Sequence, residues 1–100
     1  MAVKVLIKRH FNPEHLEQAS KILIRARYEA MKMDGYIASE TWRGLHDPSW
    51  IIVVSMWQSA EDWNRWYASR KRSELMAELA KIMSEAERIE PYALGLQQMV

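Results

Sequence analysis

One hundred residues with 14 Lys or Arg, 13 Asp or Glu and a formal charge of +1 suffice for a single domain spanning residues 1–100 and leave no electrostatic footprint for nucleic acid. Apolar residues at 49% against 27% charged, with only three Gly and three Pro, exclude disordered and low-complexity classes. The absence of cysteine excludes a disulfide scaffold, a thiolate nucleophile and every cysteine-based metal site.

The opening segment MAVKVLIKRHF carries Lys4, Lys8 and Arg9 and so has no signal-peptide core. No apolar run reaches the roughly 20 residues of a membrane helix, and a soluble cytoplasmic protein without membrane contact is expected. Residues 3–11 alternate as a strand, with Val3, Val5 and Ile7 on one face and Lys4, Lys8 and His10 on the other; Leu6 interrupts the pattern. Asn12-Pro13-Glu14 is a helix start: Asn caps, Pro suits the first helical position and the acid complements the dipole. Leu16, Ala19, Leu23, Ala26 and Ala30 follow as an amphipathic stripe, which Asp34-Gly35 ends.

Residues 36–44 read as a second strand, His46 to Ser49 as its turn, and Trp50 to Trp57 as a β-branched and aromatic third strand. The short turn makes that pair antiparallel. Ser59 to Asp62 resembles a capping box with Asp in place of Glu, opening a helix through Trp63, Trp66 and Tyr67. A break falls within Ser69 to Ser73. A second helical run then carries Leu75, Leu79, Ile82, Ala86 and Ile89, Pro91 closes it, and Tyr92 to Leu96 form a last strand. The order β-α-β-β-α-β predicts an α+β, ferredoxin-like split arrangement. Its helices cover one sheet face, and a two-fold homodimer is the expected cover for the other.

Trp57, Trp63 and Trp66 either wall a pocket for a flat ligand or fill the core. His10, at the end of the first strand, is the leading candidate base, since histidine titrates near neutrality. Arg43 and Arg9 are candidate partners for an anionic oxygen, although strand arginines beside polar neighbours are commonly solvated. The run Arg70-Lys71-Arg72, followed by Glu74 and Glu78, reads as a solvated helix face. His10, His15 and His46 lack zinc-site spacing, so no metal is expected. Ser39, Ser55 and Ser59 have no neighbouring base and no Gly-x-Ser-x-Gly context, and the glycines form no phosphate loop.

Gly35-Tyr36, Ser39-Glu40, Asp47-Pro48, Trp57-Gln58-Ser59, Trp66 and Ser69 together resemble the antibiotic biosynthesis monooxygenase domain family over residues 3–96. The resemblance implies a dimeric α+β barrel with a pocket between sheet and helices in each subunit. It also implies oxygenation of anthrones or quinols without metal, flavin or other cofactor. There the substrate is deprotonated and its carbanion reduces dioxygen, while the protein supplies orientation, a dry cavity and electrostatic help. The strand Trp of the actinorhodin-type oxygenases corresponds to Trp57, their helix Tyr to Trp63, their strand Asn to Val53 and their helix Arg to Met76. In the haem-degrading branch the helix Trp corresponds to Trp66 and the axial His to Met76. The expectation is a cofactor-independent monooxygenase using dioxygen on a small aromatic substrate. His10, Trp57 and Arg43 would be catalytic, and Trp63, Trp66, Val53 and Met76 would bind substrate. A haem-binding or haem-degrading protein and a non-catalytic ligand-binding dimer are the alternatives.

Overall fold

The computed structural model describes residues 1–95. Four strands, β1 (Val3–His10), β2 (Tyr36–Arg43), β3 (Trp50–Trp57) and β4 (Arg88–Ala93), form one sheet in the order β2-β3-β1-β4. Every neighbouring pair is antiparallel. Helix α1 (Leu16–Ala30) joins β1 to β2, and α2 (Ala60–Tyr67) with α3 (Arg70–Ala80) joins β3 to β4. This is the split β-α-β-β-α-β arrangement, with the second helical limb in two pieces.

The alternation read in β1 holds, and it extends one residue further than expected. Val3, Val5, Ile7 and also Arg9 are buried toward the helices. Register puts Ile51, Val53, Ser55 and Trp57 of β3 opposite these residues, hence on the same face. A bulge at Ile37 lets Tyr36 and Ser39 both turn inward, where their hydroxyls lie 2.6 Å apart.

Asn12 makes no side-chain cap; Pro13–His15 form a short 3₁₀ turn and α1 begins at Leu16. The buried stripe of α1 is Ala19, Ile22, Ala26 and Ala30, with Leu23 only partly covered. Gly35 follows with φ +85°, and a Cβ there would overlap the Asp62 carboxyl of α2, so this turn needs glycine twice over. The Ser59 hydroxyl accepts from the Asp62 N–H at 3.2 Å, the N-cap the sequence predicts, and donates to the Asp62 carboxylate at 2.9 Å in place of the reciprocal backbone bond of a capping box. Ser69 caps α3 in the same way, accepting from the Arg72 N–H at 3.2 Å.

Two expectations fail after α3. The helix stops at Ala80, and Ile89 belongs to β4, where it pairs with Ile7. Pro91 sits inside β4 rather than closing a helix. It is tolerated because β4 is an edge strand bonded only to β1. The predicted last strand ends at Ala93, and Leu96 lies outside the described residues.

The core has two clusters. One gathers Val3, Val5, Ile7, Ala30, Trp57, Trp63 and Trp66. The other gathers Phe11, Ala19, Ile22, Ala26, Leu75, Leu79 and Ile82. On the opposite sheet face, register aligns Leu6, Trp42, Trp50, Ile52, Val54 and Met56 without a covering helix. No helix among the described residues is long and apolar enough to cross a membrane.

Candidate active site

At the seam between the two clusters, sheet and helices part to leave a cavity of about 250 Å³ that opens to solvent beside Ile24. Its floor is the inward face of the sheet, including Ile7, Val53, Ser55 and Trp57. Leu23, Ala26 and Ala30 of α1 form the roof. Trp63 and Trp66 of α2 close one end, and Arg72 and Met76 of α3 stand beside them. The Ser69 break aims the two short helices separately, so both present residues to the same space.

The aromatic wall is a connected set. Trp57 is fully buried; Tyr36 meets it edge-on at 5.5 Å and Trp63 at 6.2 Å between centroids. Its indole N–H donates to the Ser55 hydroxyl at 3.0 Å, so it is not available to a ligand. The Ser55 oxygen, fixed by that bond, leaves its own hydrogen to be donated elsewhere.

The polar end of the cavity is basic. Arg9 is 2% exposed and donates from Nε to Glu87 at 2.8 Å and from Nη2 to the Met76 sulfur at 3.1 Å. Burial holds the Arg9 guanidinium below its ordinary pKa, Glu87 opposes that shift, and the neighbouring Arg72 adds to it. Arg72 is 6% exposed, with its guanidinium 4.8 Å from the Tyr67 ring and 5.7 Å from the Trp63 ring. Its Nη2 lies 3.6 Å from Glu87, and that buried nitrogen makes no hydrogen bond among the described residues.

Six residues singled out from the sequence therefore share this cavity: Arg9, Trp57, Trp63, Trp66, Val53 and Met76. His10 and Arg43 are not among the residues that line it. His10 lies in the outward phase of β1, its ring 4.8 Å from Trp50, with Nε2 2.9 Å from Asp47 and Nδ1 2.6 Å from Ser84. The His10 bond, with the Ser49 N–H, holds the Asp47 carboxyl below the usual aspartate range. Arg43 donates to the Pro48 carbonyl at 2.9 Å and fastens the β2–β3 turn.

Arg72 was expected to be solvated, and the structure buries it. The signal was present: Arg72 precedes Leu75, Leu79 and Ile82 at spacings of three, four and three, in phase with the buried stripe. Arg9 likewise continues Val3, Val5 and Ile7 at period two. Tyr36, Ser39 and Ser55 add to the polar lining, which also includes Ser20, Arg27 and Thr41, and only register shows that the strand residues among them face inward.

The lining does not fit a haem iron: among the described residues it contains no histidine, and the Met76 sulfur is already engaged by Arg9. Among the described residues no group of three His, Asp or Glu side chains is placed to hold a metal ion.

The profile of the family described as antibiotic biosynthesis monooxygenase matches residues 2–84. No curated protein matches the chain significantly. Among solved structures, a conserved protein from Methanosarcina mazei superposes with TM-score 0.89 at 18% identity, covering 95% of this chain and 94% of that one. Rv0793 from Mycobacterium tuberculosis gives 0.85 at 11%, covering 94% and 95%. SnoaB, a cofactor-independent oxygenase from Streptomyces nogalater, gives 0.82 at 11%, covering 93% and 92%. At these identities the superpositions speak for the fold.

Proposed function

The chain belongs to the antibiotic biosynthesis monooxygenase family, and from that premise we propose that it is a cofactor-independent monooxygenase acting on a small aromatic substrate of quinol or anthrone type. The observation that carries this reading is the cavity itself: three tryptophans face a space about the size of a small fused-ring molecule, with a guanidinium pair at its edge. SnoaB, similar in fold, is described as a cofactor-independent oxygenase. The cavity volume favours the smaller, one- or two-ring end of the substrate range.

The chemistry asks little of side-chain bases. A benzylic methylene on an electron-rich ring system loses a proton to water at the cavity mouth, and the positive field of Arg9 and Arg72 stabilises the anion within. That anion passes one electron to dioxygen, and the radical pair combines to form a carbon–oxygen bond. The hydroperoxide then loses water: its O–O bond breaks, the second C–H proton departs and a carbonyl remains. One dioxygen becomes one carbonyl oxygen and one water, with all electrons drawn from the substrate. Trp57, Trp63 and Trp66 orient the rings, and Val53 and Met76 complete the wall. His10 and Arg43, outside this cavity, do not touch substrate in this reading.

The chain acts as one domain and as a homodimer, its partner covering the apolar sheet face with Trp42, Trp50 and Ile52. The test is dioxygen uptake by metal-stripped protein over a panel of hydroquinones and anthrones, corrected for autoxidation. Protein-dependent uptake is expected, and loss of at least about tenfold in Leu23→Trp, which fills the cavity from its partly exposed α1 wall. Uptake unchanged in a folded Leu23→Trp protein, or absent across the panel, contradicts the proposal.

A further inference from the structure

Arg72 is an expensive way to build a helix start. The first turn of α3 holds Arg70, Lys71 and Arg72 and no acid, where the helix dipole favours negative charge. Of these three, Arg72 is the one buried, at 6% exposure. Its buried Nη2 has no hydrogen-bond partner among the described residues. The local charges do not balance either: Arg9 and Arg72 share the single carboxylate of Glu87, which is bonded to Arg9 at 2.8 Å and stands 3.6 Å from Arg72. One positive charge is left over beside an aromatic cavity. Buried charges in proteins are paired, and an uncompensated one is strongly destabilising. The missing partner is an anion.

We propose that the substrate is an aromatic carboxylate, its ring against Trp63 and Trp66 and its carboxylate on the guanidinium of Arg72. The guanidinium plane presents parallel N–H groups that match the two oxygens of a carboxylate. Its position against the Trp63 and Tyr67 rings puts the charge at the edge of the space an aromatic ring would fill. Arg9 is a positioning residue: through Glu87 it holds the carboxylate that would otherwise saturate Arg72, and it adds to the positive field. With the ligand seated, the guanidinia of Arg9 and Arg72 face two carboxylates, that of Glu87 and that of the ligand.

This rests on the cavity being the substrate site, and it is tested by binding without turnover. Under argon, naphthoate and the isosteric naphthamide, matched in ring position, are titrated against the protein by tryptophan fluorescence. The wild type is expected to prefer naphthoate by at least about tenfold, the value of one charge-assisted hydrogen bond. In Arg72→Met that preference disappears while naphthamide still binds. Because the variant leaves the Arg9–Glu87 pair balanced and removes a buried charge that shares its one carboxylate and lacks a hydrogen bond at Nη2 among the described residues, its Tm is expected to equal or exceed that of the wild type. Equal affinities in the wild type, or a preference that survives in Arg72→Met, overturn the proposal. A Tm that falls in Arg72→Met assigns Arg72 a purely structural role and overturns it too. Naphthol, titrated through its own ionisation, is the third arm. Binding that strengthens only with ionised naphthol, with no preference for naphthoate, would put a ring oxygen rather than a carboxylate on Arg72. The wild-type comparison needs no variant to fold. Preference for naphthoate without dioxygen uptake by any substrate contradicts the oxygenase reading alone; uptake without the preference contradicts this inference alone.

Discussion

At the scale of single residues, Trp57 shows how one side chain serves fold and site together. It is fully buried, spends its N–H on Ser55 and packs edge-on against Tyr36 and Trp63. Trp57→Ala is expected to cost about 3–5 kcal/mol, the range for deleting a large buried aromatic, and is therefore a poor probe of chemistry. Trp57→Phe keeps a ring and strands the Ser55 hydroxyl, at about 2 kcal/mol in urea unfolding. A Trp57→Phe protein as stable as the wild type would show that the Ser55 bond contributes nothing. Burial of the tryptophans was legible in the sequence, because few residues in so short a chain can supply comparable area. The inward arginines were legible only as phase. Arg9 continues a period-two run and Arg72 a helical one, but their residue type points to solvent, and a guanidinium is rarely buried. His10 misled in the opposite sense: a residue type suited to catalysis stands in the outward phase, tied to Asp47 and Ser84.

Elements were the most readable level, because their ends carry chemistry. Ser59 and Asp62 marked the start of α2, and Gly35 marked the turn that brings β2 against it. Ser59→Ala is expected to cost about 1 kcal/mol through loss of the cap, measured as a lowered urea midpoint. Arg65, then Ser59, hold the Asp62 carboxyl below the usual aspartate range by hydrogen bonds. Its folded pKa is depressed, so the associated stability is present in full at neutral pH and is lost as pH falls through the aspartate range and below. The stability gap between wild type and Asp62→Asn is accordingly expected to close on acidification in that window. A gap independent of pH would remove the ionised carboxylate from the account. Where the sequence misread an element, the reason was pairing. A proline after a helical stripe signals a helix end, yet Pro91 lies in β4, and only the strand order reveals β4 as an edge that can hold it.

The whole molecule is a sheet with two unlike faces. One carries the helices and holds the cavity; the other shows Leu6, Trp42, Trp50, Ile52, Val54 and Met56 in register, with Trp42 46% exposed. Apolar continuity of this kind on a small domain calls for a partner. Sedimentation is expected to give a dimer, with Ile52→Lys, at the centre of that face, a folded monomer; a wild type that stays monomeric at high concentration contradicts the assembly proposed here. The fold could be argued from element order alone, but the site could not. The phase of β2 and the bulge at Ile37 decide which of its side chains enter the cavity, and both arise from tertiary pairing, whereas the break before α3 is capped locally by Ser69. The central claim is that substrate electrons, without a cofactor, drive insertion of one dioxygen oxygen into a ligand held in this cavity. Its most direct test is a single turnover of metal-stripped protein under heavy-oxygen dioxygen, with the product analysed by mass spectrometry. One labelled oxygen per product molecule, with the other recovered in water, is the predicted result. Unlabelled product accompanied by hydrogen peroxide would make the protein an oxidase and contradict the account.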